Sequence, residues 1–515
     1  MLRSTSRVAV VALSALFVTP ALLAQQPAPT PQAVPPAQPA APQQRPQRPP
    51  IPQQLTFAPY HATGIYKIGE TVGWTVTPGP VTPTYAYKYT IRRNNAVVLK
   101  EGKLDLSSGK DTIEVTGDQP EMIYVAIEPY AVLPSAGAAA DSTVAQPSTS
   151  SSAVAPPASP PAPANAAAPS VTAAAAGVPA FPRSPYTGGN TGMNNGLYAV
   201  GAAVDPLHIP MDTPRPADFD AFWNGKLAEQ AKIPINPVLT PVPQSDVPGV
   251  DLSMFTLDAL GSHTHGYVTK PARDGKFPAL IQLQYAGVYA LPARSDEQHA
   301  AEGWLVINVD SHDKQPNDPS GGVPRGYQAV GNTSRETSYF LDMYLRDSRA
   351  LDYLLTRPDW DGKTIVLTGG SMGGQQSLVL AGLRPEANIT DVLVCVPAGA
   401  DANGDLHGRK AGYPNWPSTN PDVMKTAIYF DPINFASHIK ANVMAGMGFI
   451  DTTAPPAGIW TALNQIPGPK EPLPMIWSNH DNMTPREGHA CPARTTELLN
   501  QIVQGQPYTP VPLTY

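Results

Sequence analysis

A serine hydroxyl becomes a useful nucleophile when a base takes its proton and a turn lifts it clear of its neighbours. Gly369-Gly370-Ser371-Met372-Gly373-Gly374 offers such a turn, between the β-branched run Thr364–Thr368 and a helix-like segment from Gln375. A Gly-x-Ser-x-Gly pentad alone is weak evidence. Set between strand and helix, it predicts a strained elbow whose glycines let backbone approach backbone and whose hydroxyl projects above a sheet. The bland alternative, a glycine-rich turn with an incidental serine, does not require that strand-turn-helix order.

An elbow of this kind goes with an acid and then a histidine later in the chain. The apolar run Ala441–Ile450 leads directly into Asp451, which makes Asp451 the expected acid; Asp431, in an Asp-Pro turn that follows no comparable strand, is its rival. The last strand-like run, Leu473–Ser478, leads into Asn479-His480-Asp481, so His480 is the expected base. His489, farther along and beside Cys491, is the alternative, whereas His407 and His438 precede Asp451 and break the order. The oxyanion of acyl transfer needs preorganised amides. One is expected from Met372, directly after the nucleophile, and the other from Tyr285, after the strand-like run Ala279–Gln284.

This chemistry requires no cofactor. His263 and His265 alternate along one strand face, but no third ligand with sensible spacing accompanies them, so a packed or solvated pair is expected rather than a metal site. Asp310-Ser311-His312-Asp313 follows a strand at the catalytic end of the sheet and is expected either to touch substrate or to cap the next segment.

The elements that must carry these groups read as β/α alternation from about residue 208. Strand-like runs fall near 265–271, 277–285, 304–310, 364–369, 390–397, 441–450 and 472–478, with amphipathic or Ala/Leu-rich segments between them. That pattern predicts a mostly parallel sheet with helices on both faces, and the nearly continuous apolar run Trp304–Val309 suits such a doubly covered sheet. From Leu55 to about Tyr130, shorter alternating runs such as 84–91, 111–115 and 122–127 are separated by turn signals, which predicts a small antiparallel β-sandwich. An Ala/Pro/Ser-rich tract follows, and then Leu197–Val204 reads as one more strand. The tract, about 131–196, is therefore expected to be an insertion in a sandwich spanning 55–207, followed by a catalytic domain over 208–508.

The chain opens with Arg3 and Arg7, an apolar run from Val8 to Leu23 broken by Pro20, and Ala24 before a polar stretch, the layout of a secretory signal peptide at 1–24. Residues 25–54 are dominated by Pro, Gln and Ala and read as a disordered tether. No other stretch is long and apolar enough to span a membrane, so a secreted or periplasmic protein is expected. With 515 residues, two domains fit once low complexity is set aside. The net charge of −7, made more negative when Arg3 and Arg7 leave, argues against a nucleic-acid partner. Cys395 and Cys491 are the two cysteines; an oxidising compartment permits one bridge, and two unpaired thiols, Cys395 in an apolar run, are the blander reading.

The hydrolase half resembles the acetyl xylan esterase and cephalosporin-C deacetylase group, the seventh carbohydrate esterase family of the α/β-hydrolase superfamily. The resemblance covers most of 208–508 and rests on Pro216-Ala-Asp-Phe-Asp-Ala-Phe-Trp, the Gly369–Gly374 elbow, Phe430-Asp-Pro-Ile-Asn-Phe-Ala, Asp451-Thr-Thr-Ala-Pro-Pro and Asn479-His-Asp. Gly64-Ile-Tyr-Lys-Ile-Gly-Glu is similar to an N-terminal β-domain of longer relatives, here expected to be an Ig-like accessory sandwich. The resemblance implies an α/β-hydrolase fold and a serine esterase that removes O-acetyl groups from a carbohydrate or small acetyl ester; it leaves a homo-oligomer open. Three departures bear on specificity: Met372 where the family has Gln, Leu283-Gln284-Tyr285 where it has His-Gly-Tyr, and Ser311-His312-Asp313 where it has Arg-Gly-Gln. A serine peptidase of the prolyl-oligopeptidase kind shares the order of the reacting groups but normally carries a propeller in front, for which 55–207 is too short. A non-catalytic carbohydrate-binding protein would have no need of all three reacting groups.

Overall fold

The structure is a computed structural model that describes residues 54–133, 193–194, 197–243, 247–480 and 490–515. The expected signal peptide, nearly all of the expected tether and most of the low-complexity tract lie outside the described residues. All described residues fall within one compact unit, Pro50–Tyr515.

The N-terminal part comprises β1 (Leu55–Pro59), β2 (Ile65–Tyr66), β3 (Thr71–Pro78), β4 (Tyr85–Arg93), β5 (Val97–Lys103), β6 (Asp111–Thr116), β7 (Glu121–Val132), β8 (Met193–Asn194) and β9 (Leu197–Val204). They form two sheets, β1-β3-β6 and β2-β9-β7-β4-β5, with β8 paired to β9. Period-two alternation is the cause: Val72, Trp74 and Val76 on β3 and Ile123, Val125 and Ile127 on β7 turn into one shared apolar core. The run after the low-complexity tract is β9, which pairs antiparallel with β7 from Tyr198 opposite Ile127 to Val204 opposite Glu121.

The remainder runs α1 (Phe219–Gln230), β10 (Val238–Pro241), β11 (Val250–Ala259), β12 (Ser262–Pro271), β13 (Phe277–Leu283), α2 (Arg294–Glu302), β14 (Leu305–Val309), α3 (Tyr339–Thr356), β15 (Trp360–Gly370) and α4 (Met372–Leu383). It continues with β16 (Asp391–Cys395), α5 (Pro421–Ala427), α6 (Pro432–Ala436), β17 (Asn442–Gly448), α7 (Pro456–Gln465), β18 (Lys470–Met475) and α8 (Ala490–Val503). Nine strands form one sheet in the order β10-β11-β12-β14-β13-β15-β16-β17-β18. From β14 through β13 to β18 the pairs are parallel, and β10, β11 and β12 extend the sheet antiparallel. The antiparallel β10–β11 extension has no counterpart among the expected strands: Val238–Pro241 is exposed throughout, whereas Val250–Ala259 does carry apolar alternation.

Successive residues of the parallel strands feed opposite faces. Ile281, Ile307 and Leu367 join the core beneath α1, α3, α4 and α7, whereas Leu280, Val306 and Val366 join the one under α8, with Leu498, Leu499 and Ile502. This two-sided burial explains why these strands read as continuous apolar runs. Ser338 caps α3 by accepting from the Phe340 amide. No described helix is long and apolar enough to cross a membrane.

Candidate active site

The elbow is built by contacts that leave no room for side chains. Ser371 adopts φ 55° and ψ −120° between β15 and α4, a conformation that costs a non-glycine residue about 1–3 kcal/mol and persists only when its surroundings enforce it. A Cβ on Gly373 would stand 2.1 Å from the Leu283 carbonyl oxygen, and one on Gly369 would stand 2.5 Å from the Gly373 carbonyl carbon. A Cβ on Gly374 would approach Pro397 Cα to 2.9 Å, whereas one on Gly370 would meet nothing closer than 3.8 Å. The Ser371 amide donates to the Cys395 carbonyl at 3.0 Å, which fastens the turn to β16.

The structure brings Ser371, Asp451 and His480 together. His480 Nε2 lies 2.9 Å from Ser371 Oγ, and its Nδ1 lies 2.8 Å from Asp451 Oδ2. Asp451 is buried, and its other oxygen accepts from the amides of Thr453 at 2.7 Å and Ala454 at 2.9 Å. A carboxylate only accepts, so Nδ1 donates to it and Nε2 is left to accept from the serine hydroxyl. His480 keeps 24% of its side chain exposed, which opens the site to a substrate. Asp431 does not join this group: its carboxylate accepts from the amides of Ile433 and Ala402, capping α6, and burial pushes it up to about 7. His407 meets Thr213 and His438 meets Arg215, while His489 lies outside the described residues.

Of the two expected oxyanion amides, that of Met372 opens α4, where a first-turn N–H has no intrahelical acceptor and faces the positive end of the helix dipole. Tyr285 lies just beyond the Leu283 carbonyl that Gly373 touches. Its ring is 55% exposed and stacks on Tyr289 at 4.6 Å. The loop after β13 is held from beneath by the 310–312 segment together with Gln376, Tyr339 and Lys314, which the sequence did not single out. Gln376 donates to the Gln284 carbonyl at 2.9 Å and accepts from Ser311 Oγ, and the Ser311 amide donates to Gln284 Oε1 at 2.9 Å. His312 spans the Gly287 carbonyl at 3.0 Å and the Tyr339 hydroxyl at 2.7 Å, and burial holds its pKa down at about 4, so it is neutral. Lys314 bonds both Asp310 and the Tyr289 carbonyl. Residues 310–312 are thus buried struts beneath the loop after β13, with Asp310 also accepting from the His312 amide at 2.9 Å, and they are not exposed.

The Met372 side chain is buried between two hydroxyls, with Tyr327 Oη at 3.3 Å and Tyr413 Oη at 3.1 Å from its sulfur. Tyr327 Oη also accepts from the Gly287 amide at 3.2 Å, which ties this cluster to the loop after β13.

The His263/His265 pair does have a third companion, Asp313, which arrives from far along the chain; ligand atoms of the three lie within 4.8 Å of one another. These are the described residues best suited by type to a cation. Their own hydrogen bonds already engage them: Gln315 Nε2 lies 3.2 Å from His265 Nδ1, and His265 Nε2 lies 3.0 Å from Asp313 Oδ1. The two cysteines, left open on sequence grounds, form a disulfide between the end of β16 and the start of α8, which closes a sequence separation of 96.

The profile of the acetyl xylan esterase family matches residues 209–401 and 412–489. The acetyl esterase Axe7A of Xylanibacter ruminicola is 32% identical over 277 residues, covering 51% of this chain and 62% of that protein, so the chain spans less than two thirds of its curated relative. Acetyl xylan esterase 1 of Thermoanaerobacterium shares the fold with a TM-score of 0.50 at 21% identity, over 58% of this chain and 97% of that one. The acetyl xylan esterase of Paenibacillus aligns with a TM-score of 0.49 at 24% identity, over 57% of this chain and 98% of its own.

Proposed function

The chain belongs to the acetyl xylan esterase family, and from that premise we propose that it is a secreted serine esterase that removes acetyl groups from carbohydrate hydroxyls, with Ser371, His480 and Asp451 as its catalytic triad. The observation that carries this reading is the unbroken hydrogen-bonded line from Ser371 Oγ through the His480 ring to buried Asp451.

Ser371 Oγ attacks the acetyl carbonyl carbon while its proton passes to His480 Nε2. Asp451 keeps the ring oriented and stabilises the imidazolium. The developing oxyanion takes hydrogen bonds from the amides of Met372 and Tyr285. When the tetrahedral adduct collapses, the sugar oxygen leaves and takes the proton from Nε2. Water then repeats the sequence on the acyl-enzyme, releasing acetate and restoring the serine hydroxyl. The Cys395–Cys491 bridge supports an oxidising compartment, hence secretion. The two N-terminal sheets are read as an Ig-like accessory sandwich over 55–207, joined to the catalytic part over 208–508.

Acetate release from acetylated xylo-oligosaccharides, measured beside a peptide substrate and a bulky acyl ester, tests the proposal. Acetate release that vanishes in Ser371→Ala is the expected result. Preferential turnover of the peptide, or unchanged turnover in the variant, overturns it.

A further inference from the structure

The loops that carry Asp451 and His480 rest on the N-terminal sheets. Four residues, 476–479, separate the end of β18 from the base. Two of them reach the N-terminal core: Ile476 packs against both cores, and Trp477, 3% exposed, is a member of the N-terminal core with Trp74, Ile123 and Val200. The acid loop leans the same way. A Cβ on Gly201, in β9, would stand 2.5 Å from the Phe449 carbonyl oxygen and 2.8 Å from Phe449 Cβ, two residues before Asp451. A Cβ on Gly64, which has φ +66°, would stand 2.8 Å from Ile476 Cγ2.

The two loops are also bonded to each other. The Phe449 amide donates to the Met475 carbonyl at 3.0 Å and the Ile450 amide to the Ser478 carbonyl at 3.2 Å. Acid and base therefore ride on one cross-linked unit, whose far side is seated on β2 and β9. Building on the acyl-transfer reading above, we propose that the N-terminal sheets are part of the catalytic apparatus: Trp477, locked in their core, and Gly201, against the Phe449 backbone, are positioning residues that set the distance between His480 and Ser371. The physical reason is tolerance. A base displaced by about 1 Å can cost roughly 10²-fold in rate, and a four-residue link without that seat would leave the imidazole such freedom.

The test uses the full chain with three variants in the seat, Trp477→Ala, Trp477→Phe and Gly201→Ala, and one control. Gly102→Ala, in β5, places a Cβ against the Tyr89 ring and disturbs the same N-terminal part away from the loops. Each is measured for kcat and KM on 4-nitrophenyl acetate, for the rate at which a fluorophosphonate phosphonylates Ser371 with loss of fluoride, and for Tm. Trp477→Ala is expected to lower both kcat and the labelling rate by about 10²-fold and Gly201→Ala by about tenfold, with KM within about threefold. Trp477→Phe should recover most of the loss, and Gly102→Ala should lower Tm while leaving both rates near wild type. Wild-type rates in folded Trp477→Ala and Gly201→Ala overturn the proposal, as do losses that merely track Tm across all four variants. Should Trp477→Ala fail to fold, Gly201→Ala and Trp477→Phe still decide the matter. A wild type that is labelled but hydrolyses no acetyl ester sinks the acetyl reading alone, because the labelling rates still report on the seat. A wild type that is inert to both probes removes the reading and this inference together.

Discussion

Ser371 and His480 stand 2.9 Å apart, yet different parts of the chain hold them. The serine is fixed locally: Gly369, Gly373 and Gly374 press backbone on backbone, and β13 and β16 flank the turn on either side. The histidine hangs from a short link whose anchor, Trp477, is buried in a core assembled mostly from residues 55–204. On the proposed mechanism the nucleophile is thus a property of the parallel sheet, whereas the base would depend on how two regions meet. Damage to the elbow should abolish chemistry with little regard to the N-terminal sheets, while damage to the meeting surface should leave the serine strained and in place but poorly served.

The largest expected effect is on the elbow side. Ser371→Ala should remove ester turnover by at least about 10³-fold with Tm nearly unchanged, since a triad member contributes orders of magnitude and the methyl group avoids no buried polar partner beyond His480. Calorimetry beside the acetate assay checks both halves, and residual turnover within tenfold of wild type would move the nucleophile elsewhere. Gly373→Ala comes next. Its Cβ must displace the Leu283 carbonyl and with it the loop proposed to hold the oxyanion, so kcat should fall by about 10²-fold, at least tenfold more than in Gly370→Ala, where the nearest atom is 3.8 Å away. Equal losses in the two variants would mean that the turn is not held by this contact.

A stability effect follows. Replacing Cys395 and Cys491 together by alanine frees a loop of the size for which chain entropy gives about 4–5 kcal/mol, so Tm should drop by about 5–10 °C. Turnover measured below the transition should stay within about threefold, because the Ser371 amide bonds the Cys395 backbone and not its sulfur. Smaller still is Tyr413→Phe, which removes one of the two hydroxyls on Met372 sulfur and should alter kcat/KM for acetyl esters by less than about fivefold.

The smallest is a pH effect outside both regions. Burial raises the Asp296 carboxyl to about 7, well above its unfolded value. The native state therefore holds a proton that the unfolded chain releases as pH climbs from about 4, and stability from this group is full below that pH and is lost as pH rises through 7. Asp296→Asn cannot ionise, so its Tm relative to wild type should rise by a few degrees between pH 5 and pH 8. Parallel Tm curves for the two proteins would refute the assignment.

What the sequence discloses follows the same division. The elbow is legible because a strained turn needs glycine at fixed offsets, and those offsets are local. Asp451 and His480 are legible through their place after late apolar strands, and the parallel strands through their continuous apolar runs. Strand ends move by a few residues: β13 stops at Leu283 instead of 285, and β17 at Gly448 instead of 450, because the last residues turn out of the sheet to carry the site. Other features leave no local trace. Gln284, Ser311 and Gln376 are single polar residues whose partnership exists only when three elements meet. Asp313 reaches His265 from 48 positions away, and nothing in its neighbourhood announces it. The disulfide pairs residues in unlike settings, one at a strand end and one at a helix start. Trp477 reads as one more apolar residue of the strand-like run 472–478, but β18 ends at Met475 and Trp477 belongs to the N-terminal core.

That displaced tryptophan has a consequence for the order of assembly. During synthesis from the N-terminus, the strands up to β9 are complete once residue 204 has emerged, with more than half of the chain still to be made. Their core at that stage still lacks Trp477, which arrives only 273 positions later. The early-made sheets must wait as an open receptacle, and the step that finally closes them is the same step that brings the imidazole to the serine. Nascent chains truncated before residue 477 should therefore hold a loosened N-terminal core as well as an unreactive Ser371, and both should mature together when the last strand is threaded into place.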